Sequence, residues 1–316
     1  MRKQNRKDCM IYNYHHTKLK MQRRNKIKIT YLIILLLFTI FVLLDTFVIP
    51  KSKTTTTNNN ENQDENPNLG EYTENSYIDD DIAININTTN KYESTIYVAD
   101  IQLKNSKYLK TAFANNEYGR NIKEITSIIA KQNNAILAIN GDYYGFRDYG
   151  YVMRNGIVYR DVKNSDENQQ DLILYSDGRF EIEYEKDLDL AQLKDDGAMH
   201  VFSFGPSLVL NGEITVAQNQ EVGIASPSNP RTAIGILDEG HYVFVVSDGR
   251  TDESKGLSLY QLAEYMKELN CKKAYNLDGG GSTTMCFNGK VLNVTTGGHW
   301  NAIEERKVSD IVYIGR

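Results

Sequence analysis

The C-terminal two thirds of the chain shows the apolar patterns of β-strands. Residues 95–103 alternate between apolar and polar, whereas residues 135–139 and 242–246 are short, continuous apolar runs. Alternation is typical of a half-buried strand, and a short continuous run is typical of a strand buried on both faces. Pairs that suit type I′ hairpin turns lie between such runs. They are Asn155-Gly156, Asp177-Gly178, Asn211-Gly212 and Asn288-Gly289.

Helical periodicity is confined to two segments of this region. In residues 117–133, isoleucines at positions 122, 125, 128 and 129 fall on one face of a helix. A second helix is predicted after Ser258, because Ser258 and Gln261 have the spacing of a capping box. Its apolar stripe should pack on a core. We therefore predict an α+β fold, a single mixed, hairpin-rich β-sheet domain with two main packed helices.

The N-terminal part of the chain predicts a membrane anchor. Residues 29–49 are mostly apolar with one charge, Asp45, and are long enough to cross a hydrocarbon core of about 30 Å. A cleaved signal peptide is the alternative, but it would have a shorter apolar region ending in small residues. We therefore predict a transmembrane signal anchor over residues 29–50, in contact with membrane lipid. The basic residues before it place 1–28 in the cytoplasm and the C-terminal domain outside the cell.

Composition divides the remaining chain into a stalk and a domain. Residues 51–90 are acidic and rich in Asn and Thr, and a segment with so few apolar residues cannot offset its chain entropy. We predict a disordered stalk there and a folded domain over residues 91–316. Residues 1–28 hold ten Lys or Arg and one Asp, and the rest of the chain holds 26 basic and 40 acidic residues. This acidic exterior argues against nucleic-acid binding.

The three cysteines predict no disulfide framework. Cys9 belongs to the predicted cytoplasmic tail, while Cys271 and Cys286 lie in strand-like apolar runs. Buried free thiols are the favoured interpretation of the latter two, and a pair between them stays open.

One glycine-rich run carries the clearest chemical signal. Asn276-Leu277 ends a predicted strand and is followed by Asp278, then Gly279, Gly280 and Gly281, then Ser282 and Thr283. Glycines permit positive φ and close approach of a ligand to the backbone, and their N–H groups can converge on an anion. The alternative is a tight turn with a solvated aspartate. We predict the floor of an active site.

Four further segments place polar groups at strand ends, although each also suits a turn or bend. Arg231 enters an apolar strand, so its charge needs an anionic partner. That partner is either a structural carboxylate or a substrate anion, and we favour the substrate. The four segments are Asn140-Gly141-Asp142-Tyr143-Tyr144, Ser203-Phe204-Gly205-Pro206, Pro230-Arg231-Thr232-Ala233-Ile234-Gly235 and Ser247-Asp248-Gly249-Arg250.

Asp142, Asp248 and Asp278 thus stand at three predicted strand ends, with Arg231 and Arg250 available to join them. Such a set suits cleavage of an anionic glycoside, with one carboxyl group as acid or base and another as base or nucleophile. Arginines and glycine-loop amides can hold phosphate.

In this order the five segments resemble the phosphodiester glycosidase family over roughly residues 95–315. The resemblance implies hydrolysis of a sugar-1-phosphodiester at the glycosidic C1–O bond, with a sugar-phosphate or phosphoglycan substrate. In the family pattern a glycine usually stands where this chain has Asp142. Because the chain looks like a bacterial surface protein, we expect a cell-wall or exopolysaccharide substrate.

On this interpretation Asp278 is the principal catalytic acid or base and Asp248 the second catalytic carboxyl. Trp300, beside His299, could stack on a sugar, but a packed loop anchor is the favoured interpretation. The predicted substrate- or phosphate-binding residues are Asn140, Asp142, Arg231, Thr232, Arg250, Gly279, Gly280, Gly281, Ser282 and Thr283.

Two other functions stay open. Ser282 could be the nucleophile of a different hydrolase, which would need a paired base, and the chain has no Gly-x-Ser-x-Gly elbow. A membrane-tethered glycan-binding module without turnover is the second. The sequence requires no cofactor, although the three aspartates could supply oxygen ligands to a divalent cation such as calcium or magnesium.

Overall fold

The computed structural model describes residues 28–45, 51–52, 70–223 and 227–316. The chain divides into two units, Met1–Pro50 and Lys51–Arg316. The first contains helix α1, Lys28–Asp45, whose 18 residues are apolar enough to cross a membrane or to form a signal sequence. The predicted basic tail up to residue 27, including Cys9, and residues 46–50 of the predicted anchor lie outside the described residues.

The second unit is mostly β-structure with three short α-helices among its described residues. The helices are α2 (Thr126–Gln132), α3 (Leu190–Asp195) and α4 (Leu259–Glu268). The strands are β1 (Lys51–Ser52), β2 (Glu71–Tyr72), β3 (Ser76–Ile78), β4 (Ile82–Lys91), β5 (Ser94–Leu103), β6 (Leu109–Phe113), β7 (Gly119–Arg120), β8 (Glu124–Ile125), β9 (Leu137–Asn140), β10 (Val152–Arg154), β11 (Ile157–Arg160), β12 (Gln170–Tyr175), β13 (Phe180–Tyr184), β14 (Ala198–Phe202), β15 (Ser207–Leu210), β16 (Glu213–Ile214), β17 (Arg231–Asp238), β18 (His241–Ser247), β19 (Lys273–Leu277), β20 (Met285–Phe287), β21 (Lys290–Val291), β22 (Lys307–Val308) and β23 (Asp310–Ile314).

Within the described ranges these strands form three main sheets and two small ribbons. The largest sheet has nine strands in the order β16-β15-β19-β17-β18-β5-β4-β3-β2. Two five-stranded sheets have the orders β21-β20-β9-β23-β6 and β11-β10-β14-β12-β13, and the ribbons are β1-β7 and β22-β8. The named strands pair antiparallel. The predicted single mixed sheet is therefore wrong, because the strands divide into three main sheets and each pair of neighbouring strands runs antiparallel.

The main core lies between the nine-stranded sheet and the two five-stranded sheets. Phe244 and Val246 of β18 face this core, together with Ile139 of β9 and Leu174 of β12. The alternate residues of β18, such as Val245, face the opposite side of the nine-stranded sheet, where α4 covers them. This arrangement buries β18 on both faces, as its continuous apolar run predicts.

The predicted hairpins are confirmed. The loops at 155–156, 211–212 and 288–289 connect β10 to β11, β15 to β16 and β20 to β21, and both residues of each pair have positive φ. Asp177-Gly178 connects β12 to β13, with positive φ at Gly178. Cys271 and Cys286 are buried free thiols, as favoured, and burial raises their pKa values to about 12 and about 11.

The capping box at the start of α4 is also confirmed. The backbone N–H of Gln261 donates to Ser258 Oγ at 3.0 Å, and the backbone N–H of Ser258 donates to Gln261 Oε1 at 2.9 Å. Replacing Ser258 with Ala leaves one of these amides without its partner. We expect a loss of about 1 kcal/mol in the free energy of unfolding, measured by denaturant titration. Ser258→Thr, which keeps the hydroxyl, should lose clearly less, and equal losses would contradict the capping role.

The helix predicted over residues 117–133 is largely wrong. It is only Thr126–Gln132, and β7 and β8 occupy the residues before it. Asn121, inside the predicted range, adopts positive φ, which an α-helix does not allow. Ile122 is buried outside the helix, whereas Ile128, on the predicted apolar face, is 39% exposed. The isoleucine spacing was therefore partly coincidental.

The predicted boundary between stalk and domain at residues 90 and 91 is also wrong. Strands β2, β3 and β4 lie before it, and β4 pairs with β5 along its whole length. Ile82, Ile84 and Ile86 of β4 are buried in the main core. The alternation of isoleucine with small or polar residues in β4 could have predicted this strand. It was overlooked because the strand directly follows an acidic, Asn-rich segment. Residues 53–69 of the predicted stalk lie outside the described residues.

Candidate active site

The glycine-rich run lies at the end of a central strand. Strand β19 pairs with β15 and β17, and the chain then turns through Asp278 into a 3₁₀ turn, Gly280–Ser282. Gly280 has a φ of 59°, and a Cβ there would lie 2.8 Å from Nη2 of Arg250. Its N–H donates to the carbonyl oxygen of Pro230 at 2.8 Å. The predicted convergence of all three glycine amides on an anion is therefore wrong for Gly280.

Asp278 forms the centre of the site with two other side chains. Its Oδ2 accepts a hydrogen bond from Nη2 of Arg306 at 2.8 Å. The same guanidinium donates through Nε to Ser282 Oγ at 2.8 Å. The Asp278 side chain is 14% exposed and that of Arg306 is 39% exposed. A ligand can therefore reach both the carboxyl group and the guanidinium.

The surroundings of Asp278 favour its neutral form more than water does. Burial raises the pKa of this carboxyl group, and the nearby charge of Asp142 adds to the rise. Arg306 and the Ser282 hydroxyl oppose it without cancelling it. A partly exposed carboxyl group with a raised pKa can donate a proton as a general acid.

Arginines surround the same loop. Arg250 is exposed, reaches over Gly280, and donates from Nη2 to Asn229 Oδ1 at 2.8 Å. Burial lowers the pKa of Arg250, and the positive charges of Arg306 and Arg231 lower it further. This mutual repulsion would be relieved by an anion, and guanidinium groups bind phosphate oxygens with good geometry.

Arg231 does not have the role that we favoured from the sequence. Its side chain is buried, forms an ion pair with Glu221, and donates through Nε to the carbonyl oxygen of Leu257 at 2.9 Å. The partner is thus the structural carboxylate that was the alternative. The sequence could not show this because Glu221 lies ten residues away in a polar loop. Arg306 and Arg250 remain as the accessible arginines next to Asp278.

The side-chain amide of Asn140 stabilises the glycine-rich loop. Its Nδ2 donates to the carbonyl oxygen of Asp278 at 2.6 Å and to that of Gly141 at 3.2 Å. Its Oδ1 accepts from Thr232 Oγ1 at 2.8 Å and from the N–H of Thr284 at 3.2 Å. These four bonds use the full capacity of the amide, so the predicted direct contact with a sugar is not supported. Thr232 and Thr283 are buried in the same network.

Asp142 is also occupied inside the protein. Its side chain is fully buried and lies 3.2 Å from Nη2 of Arg154, which also pairs with Asp310 at 2.8 Å. It accepts further bonds from the N–H groups of Tyr144 and Ser203. Burial alone would raise the pKa of Asp142, but Arg154 and its neighbours lower it overall. The predicted substrate contact is wrong here, since Asp142 is an ionised, enclosed partner of arginine.

Asp248, the second predicted catalytic carboxyl, is buried at the end of β18. Its Oδ1 accepts from the N–H of Val294 at 2.8 Å, and Tyr97 donates to Oδ2 at 3.4 Å. Burial raises the pKa of Asp248 to about 6. Near neutral pH it is therefore poised between its acid and base forms.

Asp142, Asp248 and Asp278 do not come together in a cluster that could hold a metal ion. Across residues 28–45, 51–52, 70–223 and 227–316, no group of three or more His, Cys, Asp or Glu side chains is arranged to hold a metal ion. Asp142 and Asp278 instead pair with Arg154 and Arg306.

Arg306 was missed by the sequence interpretation. It lies in the run Glu304-Glu305-Arg306-Lys307, which resembles an ordinary solvated charge cluster. A loop brings it into the site: the N–H of Gly297 donates to the carbonyl oxygen of Glu304 at 2.8 Å, and a side chain at Gly297 would clash with the backbone of Arg306. Trp300, in the same loop, is fully exposed. The favoured interpretation of Trp300 as a packed anchor is wrong.

A protonatable carboxyl group beside arginines, on a mostly antiparallel β domain, is an arrangement that can supply acid catalysis to an anionic substrate. The chain belongs to the phosphodiester glycosidase family, whose model matches residues 133–315. This confirms the resemblance given by the five segments.

The chain is also similar to individual curated proteins. The SPbeta prophage-derived uncharacterized protein YomE of Bacillus subtilis (strain 168) is 28% identical over 191 residues, which cover 59% of this chain and 29% of that protein. The N-acetylglucosamine-1-phosphodiester alpha-N-acetylglucosaminidase of Mus musculus is 36% identical over 98 residues, covering 27% of this chain and 19% of that enzyme. The chain thus spans less than a third of the length of these curated relatives.

A solved structure shows the same fold. The catalytic domain of the zebrafish N-acetylglucosamine-1-phosphodiester alpha-N-acetylglucosaminidase, auto-inhibited by its pro-peptide, superposes with a TM-score of 0.58 at 19% identity. The match covers 85% of this chain and 89% of that one.

Proposed function

We propose that the protein hydrolyses a sugar-1-phosphodiester at the glycosidic C1–O bond, releasing a free sugar and a phosphomonoester. The observation that carries the proposal is the contact of Arg306 with both Asp278 and Ser282 at the mouth of the glycine-rich loop. This contact places the proposed proton donor, Asp278, next to the proposed phosphate-binding group, Arg306. The activity named for the Mus musculus relative, N-acetylglucosamine-1-phosphodiester alpha-N-acetylglucosaminidase, points to the same class of substrate.

The proposed reaction uses each group for one task. Arg306 and Arg250 hold the phosphate oxygens and stabilise the charge that grows on the departing phosphate. Asp278 donates its proton to the bridging oxygen as the bond from that oxygen to C1 breaks. Asp248 is the proposed second carboxyl. As a base, it accepts the proton of a water whose oxygen forms the new bond to C1; as a nucleophile, it first bonds to C1, and the ionised Asp278 then takes the proton of the water that displaces it.

Two observations argue against the Ser282-dependent hydrolase. A serine nucleophile needs an adjacent base, whereas Ser282 Oγ accepts hydrogen bonds from the guanidinium of Arg306. The two histidines with side-chain hydrogen bonds have other partners: His200 bonds to Thr111, and His241 bonds to Asp100. The non-catalytic binding module differs from the proposal only in turnover, so an assay separates them.

The site is proposed to act outside the cell. Helix α1 has the length and composition of a membrane span, and ten basic residues lie at or before its first position. A single-pass anchor with the N-terminus in the cytoplasm then places the β domain outside. The substrate would then be a cell-wall or exopolysaccharide phosphodiester.

Identifying which bond breaks during turnover tests this function. The full chain, purified in detergent, is incubated in ¹⁸O-labelled water with a panel of sugar-1-phosphodiesters, and the products are analysed by mass spectrometry. We expect a free sugar carrying ¹⁸O at C1 and an unlabelled phosphomonoester. Label in the phosphate would show P–O cleavage and overturn the proposal. Binding of the whole panel without any product would favour the non-catalytic module.

A further inference from the structure

The loop from Gly297 to Glu304 is closed by backbone hydrogen bonds. The N–H of Gly297 donates to the carbonyl oxygen of Glu304 at 2.8 Å, and the N–H of Gly298 donates to that of Ala302 at 3.2 Å. The N–H of Ala302 in turn donates to the carbonyl oxygen of His299 at 3.2 Å. These bonds form a tight loop whose tip lies between Gly298 and Ala302.

The base of this loop packs against the glycine-rich run. A Cβ at Gly281 would lie 2.9 Å from the Cα of Gly297 and 3.4 Å from the Cδ of Arg306. A Cβ at Gly297 would lie 2.3 Å from the backbone nitrogen of Arg306. These three residues therefore meet without room for a further side chain. The loop leaves from, and returns to, the residue that is proposed to bind phosphate.

Trp300 lies at the tip of the loop. Its side chain is fully exposed, and its backbone has a φ of 58°. The left-handed region is strained for a bulky side chain, and an exposed indole gains nothing from burial. Neither feature stabilises the free protein. Strained residues of this kind cluster at sites that bind ligands, so the conformation of Trp300 indicates a role toward a ligand.

The side chain of Trp300 can reach a group attached to a phosphate at Arg306. Because three residues span at most about 11 Å, the Cα of Trp300 lies no further than this from that of Gly297. The indole has a broad apolar face with a polar edge. A sugar ring likewise has apolar C–H faces with hydroxyl groups around its edge. Stacking the two faces buries apolar surface and leaves the hydroxyl groups free to bind water.

The place of the loop favours a substrate over other partners of an exposed indole. A membrane surface or a second copy of the chain could also cover Trp300. Neither of them would require the loop to be fixed against Gly281 and Arg306. A ligand whose phosphate binds Arg306 does require it, because the two contacts must then be held at a set distance.

We propose that Trp300 is a substrate-binding residue whose indole stacks on the sugar ring of the phosphodiester held by Arg306. The proposal rests on the proposed function for the class of substrate and adds the contact that recognises the sugar. Trp300 holds the ring while Asp278 donates its proton to the bridging oxygen. This stacking is the same before and during bond cleavage, so it should lower KM and leave kcat nearly unchanged.

Trp300 is the single tryptophan of the chain, so intrinsic tryptophan fluorescence reports on this residue alone. The full chain carrying Asp278→Asn, purified in detergent, is titrated with the panel of sugar-1-phosphodiesters, and quenching of the fluorescence by acrylamide is recorded. We expect efficient quenching without ligand. A saturating ligand should reduce it about twofold or more, because stacking covers one of the two faces of the indole. Methyl phosphate, which has no ring, should protect much less.

Steady-state kinetics on chains with Asp278 intact give a second readout. Trp300→Ala should raise KM about tenfold, equivalent to about 1.4 kcal/mol, with kcat within about twofold of the unaltered chain. Trp300→Phe keeps an aromatic face and should recover most of the affinity. The matched control is Ile303→Ala, which removes another exposed apolar side chain from the same loop. It should change KM less than about twofold.

Four results would overturn the role of Trp300. They are equal protection by methyl phosphate, an unchanged KM in Trp300→Ala, an equal rise of KM in Ile303→Ala, and quenching that is already blocked before ligand is added. The last would show that detergent or a second copy covers the indole. Protection without turnover of any panel member would refute the proposed function and keep the sugar contact. Turnover without protection would keep the function and refute the contact.

Discussion

Replacing Asp278 with Asn should lower kcat for a sugar-1-phosphodiester by about 10³-fold, the usual contribution of a general acid. The amide has nearly the same shape and still offers an oxygen to Arg306, but it cannot transfer a proton. The phosphate contacts of Arg306 and Arg250 remain, so KM should change only a few-fold. Steady-state kinetics with release of the free sugar as the readout measures both constants.

Asp238→Asn is a matched control for this variant. Asp238 is an exposed carboxylate paired with Lys272 at the far end of β17, and its loss should leave turnover unchanged. Ser282→Ala adds a second comparison. A serine nucleophile would make that variant inactive, whereas loss of a hydrogen bond to Arg306 predicts a modest reduction. Full turnover by Asp278→Asn would remove Asp278 from the mechanism.

Replacing Arg306 with Gln should reduce kcat/KM by roughly 10- to 100-fold, since a hydrogen bond to a charged group contributes about 1.5–3 kcal/mol. A change in pH dependence should accompany the loss. The guanidinium holds the pKa of Asp278 below the value that burial alone would give. Removing it raises that pKa further. Because the protonated acid is the active form, the alkaline limb of the kcat/KM profile should move to higher pH.

Arg306→Lys separates charge from geometry. The ammonium group keeps the positive charge but loses the planar fork that contacts both Asp278 and Ser282. We expect the alkaline limb to return toward its original position while kcat/KM stays reduced. A structural defect alone would lower kcat/KM without moving the limb. A shift of the limb to lower pH in Arg306→Gln would contradict the role given to Arg306.

Local sequence signals accounted for many elements of the fold. The Asn-Gly pairs became hairpins because positive φ at two adjacent residues is a property of those residues and their turn. The capping box of α4 formed because its partners are three residues apart. The five motif segments identified the family because a loop that follows a strand carries its chemistry within a few residues. None of these inferences needed a contact between distant parts of the chain.

Errors arose where distant residues compete for one side chain. Arg231 was expected to bind substrate, but it forms an ion pair with Glu221 instead. Asn140 and Asp142 lie next to the site, yet Thr232, Thr284 and Arg154 use their polar groups. Their residue types were those of a binding site, and only the packing of several strands showed that their hydrogen-bonding capacity was already used.

The sequence by itself determined the family, the hairpins, α4 and the position of Asp278 at a strand end, because each depends on residues that are near one another in the chain. The tertiary structure decided which groups can meet a ligand. It brought Arg306 across 28 positions to Asp278 and included residues 71–91 in the large sheet. Hydrogen bonds and ion pairs between distant residues are formed by packing, so no local pattern records them.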